Sequence, residues 1–360
     1  MEQRVGSTGS YFRKPALSTA PPPRAPLPPL PPARESAPPP DGVPTPIVRQ
    51  RPTFHGTGGT LFGLHVVNVL FILLTLGIYY FWGKTRIRRY IFGQSAFGAD
   101  RFAYHGTAHE LLLGFAKAFV LFIVPIVFLI AVRDVLDVGR TIKEVAALSI
   151  PILLNLMFIP VALVGARRYR LGRTSWRGIR FSFRGPALDF VKIFFKGSFL
   201  TGLTFGLYYP FFAARRQAFM ISHSYFGNER FGFDGRGREL LGPYLLSILL
   251  TLPTLGLCWV WFFARRRRFF WDHTTLGGAR FISTVTGGAL LGLWLVNAAL
   301  LVGTVGLAWP WVRVRNINFA FRYLELYGPL DLERIQQQAQ ETSATGEGLA
   351  GFLDTGFDLG

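Results

Sequence analysis

Six apolar stretches of about 18 to 26 residues dominate the pattern of the chain, and none of them contains Asp or Glu. A helix needs roughly 17–25 predominantly apolar residues to cross a bilayer. The pattern therefore predicts an all-α polytopic membrane protein with about six transmembrane helices. The stretches are Leu61–Trp82, Leu111–Val132, Val145–Ala166, Gly197–Ala214, Leu241–Phe263 and Gly287–Val312.

Four of these stretches contain the same sequence motif, which we call the Thr-x-Gly word. It reads "TLGIYYFWGKTRIRRYIFG" at Thr75, "TFGLYYPFFAARRQAFMIS" at Thr204, "TLGLCWVWFFARRRRFFWD" at Thr254 and "TVGLAWPWVRVRNINFAFR" at Thr304. The last three threonines are fifty residues apart. A fixed period of this kind indicates a fold built from internal repeats of about 50 residues.

A second sequence motif, which we call the arginine–aromatic word, follows the basic clusters. It reads "RFAYHG" at Arg101, "RFSFRG" at Arg180 and "RFGFDG" at Arg230, with a weaker copy, "RFISTV", at Arg280. The alternation places both aromatic residues on one face of a strand, and the glycine is typical of a turn. The sequence therefore predicts short β-hairpin-like segments between the spans.

Composition divides the chain into three regions. Residues 1–52 hold most of the prolines and cannot bury apolar surface, so this arm is expected to be disordered. Residues 53–330 form the predicted repeat-built transmembrane domain. Residues 331–360 are rich in Gln, Gly and acidic residues and are expected to be a disordered tail.

The net charge of +19 raises the question of a nucleic-acid partner. The arginines and lysines, however, cluster at the ends of apolar stretches, which is typical of membrane-flanking segments. We therefore expect anionic lipid headgroups as partners and no nucleic acid, and leave a protein partner open. The predicted headgroup residues are Arg86, Arg88, Arg89, Arg167, Arg168, Arg215, Arg216, Arg265, Arg266, Arg267, Arg268, Arg313 and Arg315.

Single crossings would place these basic clusters on both sides of the membrane, against the usual bias. Either the repeats alternate in orientation with a weak charge bias, or the segments with Thr-x-Gly re-enter on the side from which they came. The first explanation needs no unusual structure and is preferred.

Three asparagines, Asn68, Asn155 and Asn297, lie inside the apolar stretches. They support two interpretations. A polar group in a membrane helix often bonds to a neighbouring helix, with a contribution of roughly 0.6–2 kcal/mol. Corresponding positions in repeats can instead line a solute path, which would make the protein a transport module. The first interpretation is favoured.

Residues that would indicate an enzyme are missing from the sequence. The glycine-rich segments lack the Lys-Ser/Thr ending of a phosphate-binding loop, and Gly-x-Ser-x-Gly does not occur. His105, His109 and Glu110 do not follow the order of a zinc-protease motif, and Cys258 is the single cysteine. We therefore expect neither catalysis nor a bound cofactor or metal.

The words "HGTGGTLFGLHVVNVLFILLTLGIYYFWGKTRIRRYIFG" and "RFAYHGTAHELL" resemble the YjgN family of bacterial inner-membrane proteins, a family of unknown function. The resemblance covers about Phe54–Tyr327 and implies a multi-pass protein of the bacterial inner membrane. It implies no activity, substrate or catalytic residue. The functional hypothesis is a non-catalytic inner-membrane protein whose arginine clusters contact anionic lipid or a partner, with small-solute transport as the alternative.

Overall fold

The computed structural model describes residues 47–135 and 158–329, and Ile335. All of these belong to a compact unit that runs from Thr45 to Gly360. Most of the predicted arm, Asn155 and nearly all of the predicted tail lie outside the described residues.

Ten helices lie among the described residues, and they come in consecutive pairs. The fourth helix, α4, is described over residues 158–172. The others are α1 (Gly58–Leu74), α2 (Tyr80–Gln94), α3 (Ala108–Val135), α5 (Ala187–Leu203), α6 (Tyr209–Ser222), α7 (Gly237–Leu250), α8 (Cys258–Asp272), α9 (Gly287–Gly303) and α10 (Trp309–Arg322).

Eleven short strands form a single antiparallel sheet. They are β1 (Ile47–Gln50), β2 (Pro52–Phe54), β3 (Ser95–Phe97), β4 (Asp100–Tyr104), β5 (Thr174–Trp176), β6 (Ile179–Phe183), β7 (Ser224–Phe226), β8 (Glu229–Phe233), β9 (Thr274–Leu276), β10 (Ala279–Ser283) and β11 (Leu324–Pro329). Their spatial order is β1-β11-β10-β9-β8-β7-β6-β5-β4-β3-β2. The strands that carry the arginine–aromatic words, β4, β6, β8 and β10, alternate in this order with the strands that end the helix pairs.

Each helix pair leaves the sheet and returns to it. For example, α5 follows β6, and α6 leads into β7, the neighbour of β6. The exit from the second helix is marked by a serine or threonine whose hydroxyl donates to the carbonyl four residues earlier, as Ser224 Oγ does to Met220 O at 2.7 Å. The same bond is made by Ser95, Thr174 and Thr274.

An aromatic core fills one side of the sheet. Phe102, Phe181, Phe231 and Phe281 lie side by side on alternate strands, with ring centroids 6.3, 6.4 and 6.5 Å apart. Aromatic pairs at such distances contribute roughly 0.5–1.5 kcal/mol each beyond the area that they bury. Ile335 is buried in the same cluster, although the residues around it are not described.

The first and last elements of the described chain meet. Trp311 of α10 packs on Phe62 of α1 with ring centroids 5.1 Å apart, so the last helix pair of the described chain contacts the first. Arg51 alone separates β1 from β2, although these strands stand at opposite ends of the strand order. Glu325 of β11 accepts a hydrogen bond from Arg49 Nε at 2.9 Å and another from Arg51.

The predicted all-α polytopic architecture, with about six transmembrane helices, is wrong. The strand-like segments pair with one another into one continuous sheet, so the fold is mixed. The four stretches that carry Thr-x-Gly are also divided, because each forms two shorter helices joined by a turn at that word. The length of each apolar stretch predicted a crossing, and a turn back at Thr-x-Gly was only the second of the two explanations.

Within residues 47–135 and 158–329, no helix combines the length and apolar character that a membrane crossing requires.

The fold also explains why basic clusters recur after every such turn. Since each helix pair begins and ends at the sheet, the turn lies at the far end and both helices have their other end near the sheet. The basic clusters of α2, α6, α8 and α10 therefore all lie on the sheet side of the turns. Of the two sequence-based explanations, alternating orientation does not describe these pairs.

Candidate functional site

The Thr-x-Gly turn is held by the threonine hydroxyl. Thr204 Oγ1 donates to Leu200 O at 2.7 Å and accepts a hydrogen bond from the Tyr208 N–H at 3.0 Å. The hydroxyl thus gives the amide at the start of α6 a partner, and it adds a second hydrogen bond to the Leu200 carbonyl, which already accepts from the Thr204 N–H. The same two bonds are made by Thr75, Thr254 and Thr304.

The two residues after the threonine have left-handed backbone conformations. Phe205 has φ 50° and Gly206 has φ 93°. Glycine adopts such angles without cost, but an L-residue with a side chain loses roughly 1–2 kcal/mol. The same pair of positive angles occurs at Leu76 and Gly77, Leu255 and Gly256, and Val305 and Gly306.

These strained positions carry the most exposed apolar side chains of the described chain. Leu76 is 95% exposed, Phe205 98%, Leu255 93% and Val305 92%. An apolar side chain that is fully exposed, on a residue with a strained backbone, does not contribute to the stability of the fold. Such an outlier, repeated at four equivalent positions, points to a role in binding.

The surface next to these tip residues is also apolar. The helix ends and the rest of the turns expose further large side chains, so that each of the four described tips presents several exposed apolar residues. This is more than the scattered exposed residues of an ordinary soluble surface. Largely exposed members include Leu73, Leu74, Phe199, Leu203, Leu249, Leu252, Val302 and Leu307.

A rim of arginines lies behind the tips. Arg86, Arg215, Arg265 and Arg315 each follow their Thr-x-Gly threonine by eleven residues, and all four are exposed. They stand six or seven residues into their helices, which is about 9–10 Å at 1.5 Å per residue. The hairpins therefore carry an apolar tip and a cationic rim about two helical turns apart. We call Arg86, Arg215, Arg265 and Arg315 the rim arginines.

Other predicted headgroup residues turn inward. Arg88 is buried, and Arg167 donates to Ser224 Oγ at 3.3 Å. Burial, with Arg170 nearby, lowers the pKa of Arg167 to about 10, and burial also lowers the pKa of Arg216 and Arg267. Side chains two residues apart on a helix face nearly opposite ways, so a run of arginines cannot all reach the same surface.

Two arginines of the predicted set hold a helix to the following strand. Arg168 donates to Gly185 O at 2.7 Å, and Arg89 donates to Gly106 O at 3.5 Å. These glycines occupy the last position of the arginine–aromatic word in their repeats. Arg168 and Arg89 therefore stabilise the junction of helix and sheet, and Arg89 remains exposed beside it. The remaining members, Arg266, Arg268 and Arg313, are partly buried.

Of the three predicted asparagines, the two that lie in the described residues each form a hydrogen bond between the two helices of a pair. Asn297 Nδ2 donates to Asn316 Oδ1 at 2.7 Å, which joins α9 to α10. Asn68 Nδ2 donates to Gly83 O at 3.4 Å, which joins α1 to α2. These bonds support the interhelical interpretation. Asn155 lies outside the described residues.

One polar cluster was not recognised from the sequence. Glu110 accepts hydrogen bonds from Tyr169 Oη at 2.9 Å and Arg173 Nη2 at 2.6 Å, and so joins α3 to the end of α4. His105 Nε2 lies 2.7 Å from Ser175 Oγ. Partners some 60 or 70 residues apart leave no local pattern, so only the pairing of repeats could have suggested these contacts. Among the described residues, no group of three or more His, Cys, Asp or Glu side chains is arranged to hold a metal ion.

Comparison with known proteins gives a family but no activity. The family model described as "Bacterial protein of unknown function (DUF898)" matches residues 49–264 and 244–352. Similar curated proteins, all named "Inner membrane protein YjgN", are 34% identical over 130 residues (Escherichia coli strain K12), 32% over 130 (Escherichia coli O157:H7) and 28% over 131 (Salmonella typhimurium). The alignments cover 36% of this chain and 30% of each relative, so the chain matches less than a third of the relatives' length. No solved structure shows a significant match.

Proposed function

The chain belongs to the DUF898 family of bacterial proteins of unknown function, and we propose that it binds the bacterial inner membrane through its hairpin tips. The resemblance to the YjgN family is thereby confirmed, and the relatives' name supports this localisation. The curated relatives carry no enzyme name, and the proposed role is binding without catalysis.

The observation that carries the proposal is the exposure of Leu76, Phe205, Leu255 and Val305 at the four tips. Full burial of a side chain of this size contributes about 1.5–3 kcal/mol. Four tips that enter the acyl region together would supply enough free energy to hold the protein at a membrane and to offset the backbone strain of the turns.

The rim arginines support the same orientation. Amphipathic membrane-surface elements bury their apolar side about 5–10 Å into the boundary between headgroups and acyl chains. The rim lies at about that distance from the start of each second helix. With the tips in the acyl layer, the rim arginines would lie among the headgroups, where each basic residue contributes about 1 kcal/mol with anionic lipid.

Replacing the four tip residues by asparagine tests the proposal. Asn tolerates a left-handed backbone, so the variant L76N/F205N/L255N/V305N should fold with less strain than the native chain. We expect its partition into phosphatidylcholine vesicles, measured by flotation, to fall by more than about a thousandfold. The matched control is I282N/Y327N, which removes exposed apolar side chains from the sheet. Flotation of the tip variant at the wild-type level would refute the proposal.

A second variant tests the rim. Exchange of Arg86, Arg215, Arg265 and Arg315 for Gln should weaken flotation with vesicles that contain phosphatidylglycerol, by about 1 kcal/mol for each arginine. Flotation with neutral vesicles should not change. The salt dependence of binding should fall in parallel, because salt screens the interaction of exposed charges.

The transport alternative stays a prediction. The hydrogen bonds of Asn68 and Asn297 to neighbouring helices favour the interhelical interpretation over a solute path.

A further inference from the structure

A cavity of about 140 Å³ lies between α5 and α6. Three of its lining residues are cations: Lys192 and Lys196 on α5, and the rim arginine Arg215 on α6. A water molecule needs roughly 10–15 Å³ of such space, so the cavity has room for part of an acyl chain, and its own surface is almost entirely apolar. Tyr208 adds an aromatic ring with a polar tip to the lining.

The charge of the cavity is largely uncompensated. Lys192 has a carboxylate at hand, since its Nζ lies 3.4 Å from Asp189 Oδ1, and both side chains are exposed. Within the described residues, neither Lys196 nor Arg215 forms an ion pair with a carboxylate. Three basic side chains that border one cavity, with so little negative charge nearby, favour an anion with more than one acceptor oxygen.

The rest of the cavity is apolar and lies next to an apolar surface. Ile193, Gly197 and Phe212 complete the lining. Toward the tip, α5 exposes Phe199 and Leu203, each by about two-thirds. A phosphate held by the cations would therefore have space beside it for an acyl chain. This arrangement suits a lipid headgroup better than a free phosphate ion.

The two lysines depart from the repeat. Lys192 and Lys196 precede Thr204 by twelve and eight residues. The same positions in α1, α7 and α9 hold a glycine and then a large aliphatic residue, all exposed, and alignment on the arginine–aromatic word gives Leu113 and Lys117 in α3. Among the described helices only α5 has both lysines, so this cavity is a local addition to a surface that is otherwise repeated. The aligned pairs are Gly63 and Val67, Gly242 and Leu246, and Gly292 and Val296.

We propose that Lys192, Lys196 and Arg215 bind the phosphate of one anionic lipid molecule, so that the α5–α6 hairpin selects a lipid where the other hairpins bind anionic headgroups in general. The proposal rests on the membrane-binding function, because a lipid reaches the cavity only when the tips are inserted. It differs in stoichiometry, since it requires one tight lipid for each chain.

The test counts lipids on the full chain. The protein is purified in neutral detergent, titrated with cardiolipin, which carries two phosphodiesters, and analysed by native mass spectrometry. The variant K192Q/K196Q removes two charges from the cavity. The control R101Q/R238Q removes two exposed charges that belong neither to the cavity nor to the rim. The wild type and the control should retain one tight cardiolipin, and K192Q/K196Q should bind it about thirty-fold more weakly.

The possible outcomes separate a distinct lipid site in the cavity from general binding by the rim arginines and from a site for free phosphate. Equal weakening in the two variants would overturn the cavity as a distinct site and leave the rim proposal intact. Loss of vesicle flotation by the tip variant is measured separately, so failure of membrane binding is not confused with failure of the cavity. If glycerol 3-phosphate or inorganic phosphate displaces the tight lipid at comparable concentration, the site is one for free phosphate and the lipid assignment is wrong.

The repeat offers a gain-of-function variant. Gly242 and Leu246 on α7 are exposed, and Arg265 takes the place of Arg215 on the following helix. A side chain at Gly242 meets open space. The variant G242K/L246K should therefore bind a second tight cardiolipin. An unchanged count of one would mean that three cations at this spacing are not sufficient, and the proposed recognition would be wrong.

Discussion

The two ends of the helix pairs use the same residue types in opposite ways. At the sheet, Phe226 is 1% exposed and packs on Trp176 and Phe181. At the far end of the same repeat, Phe205 is 98% exposed. Apolar composition therefore does not by itself distinguish the core from the proposed membrane-binding surface. The backbone does, since Phe205 sits at positive φ in a turn and Phe226 ends a paired strand.

The strongest test of this comparison replaces each of the two phenylalanines by alanine in a separate variant. Phe226→Ala should lower the free energy of unfolding by about 3–5 kcal/mol, because it leaves a cavity in the aromatic core. Phe205→Ala should change the stability in detergent by less than about 0.5 kcal/mol, the usual range for surface substitutions. Urea unfolding followed by circular dichroism in one neutral detergent would measure both. Similar losses in the two variants would remove the distinction between core and tip.

A second test concerns the turn itself. Gly206 has φ 93°, so Gly206→Ala should cost about 1–2 kcal/mol. Gly202, four residues earlier, lies in α5 with open space around it, and Gly202→Ala should stabilise the helix by about 0.5–1 kcal/mol. The thermal midpoints, Tm, should therefore move in opposite directions. A rise in Tm for Gly206→Ala would show that the turn lacks the left-handed conformation.

A smaller effect is expected between the helices of a pair. Asn297→Ala removes the bond to Asn316 Oδ1 and should cost about 0.6–2 kcal/mol. Asn318→Ala, an exposed position on α10, is the matched control and should be neutral. Flotation with vesicles should be the same for both variants. Reduced flotation of Asn297→Ala with normal stability would instead connect this residue to function.

The smallest effect is a pH dependence at the sheet closure. Hydrogen bonds from Arg49 and Arg51 lower the pKa of Glu325 below its ordinary value. A carboxyl with a lowered pKa in the folded state contributes stability that is present above the unfolded pKa and is lost as the pH falls through the folded pKa. Unfolding in urea should thus become easier on acidification, and less so in Glu325→Gln. Parallel pH profiles for the two proteins would exclude a contribution from Glu325.

The sequence predicted part of this fold, and the turn explains the main error. The strand period of the arginine–aromatic word and the fifty-residue repeat were visible, since both are local patterns. Re-entry at Thr-x-Gly was the less favoured alternative, and the turn is hard to predict because its first left-handed residue is Leu, Phe or Val, where glycine or asparagine would normally mark such a position. A run such as Leu61–Trp82 then looks like one span, although α1 ends at Leu74.

The candidate site was also predicted only in part. The arginine clusters were found, but Arg265 and Arg267 are about 200° apart around α8, and only the first is exposed. Which arginine faces outward depends on the position of the sheet, and this comes from pairing between distant repeats. Lys192 and Lys196 come just before the apolar stretch Gly197–Ala214, and that position alone is typical of membrane-flanking residues. Their cavity became visible only with α6 in place.

The junction at Arg51 has a consequence for how the protein is made. β1 pairs with β11, and α1 packs on α10, so contacts that join the first and last repeats span more than 240 residues. During translation the early repeats leave the ribosome with β1 unpaired until residues 324–329 have been synthesised. An unpaired strand edge is prone to join another chain. Until β11 is synthesised, two nascent chains could therefore pair through β1, and the pairing of β1 with β11 then occupies that edge of β1.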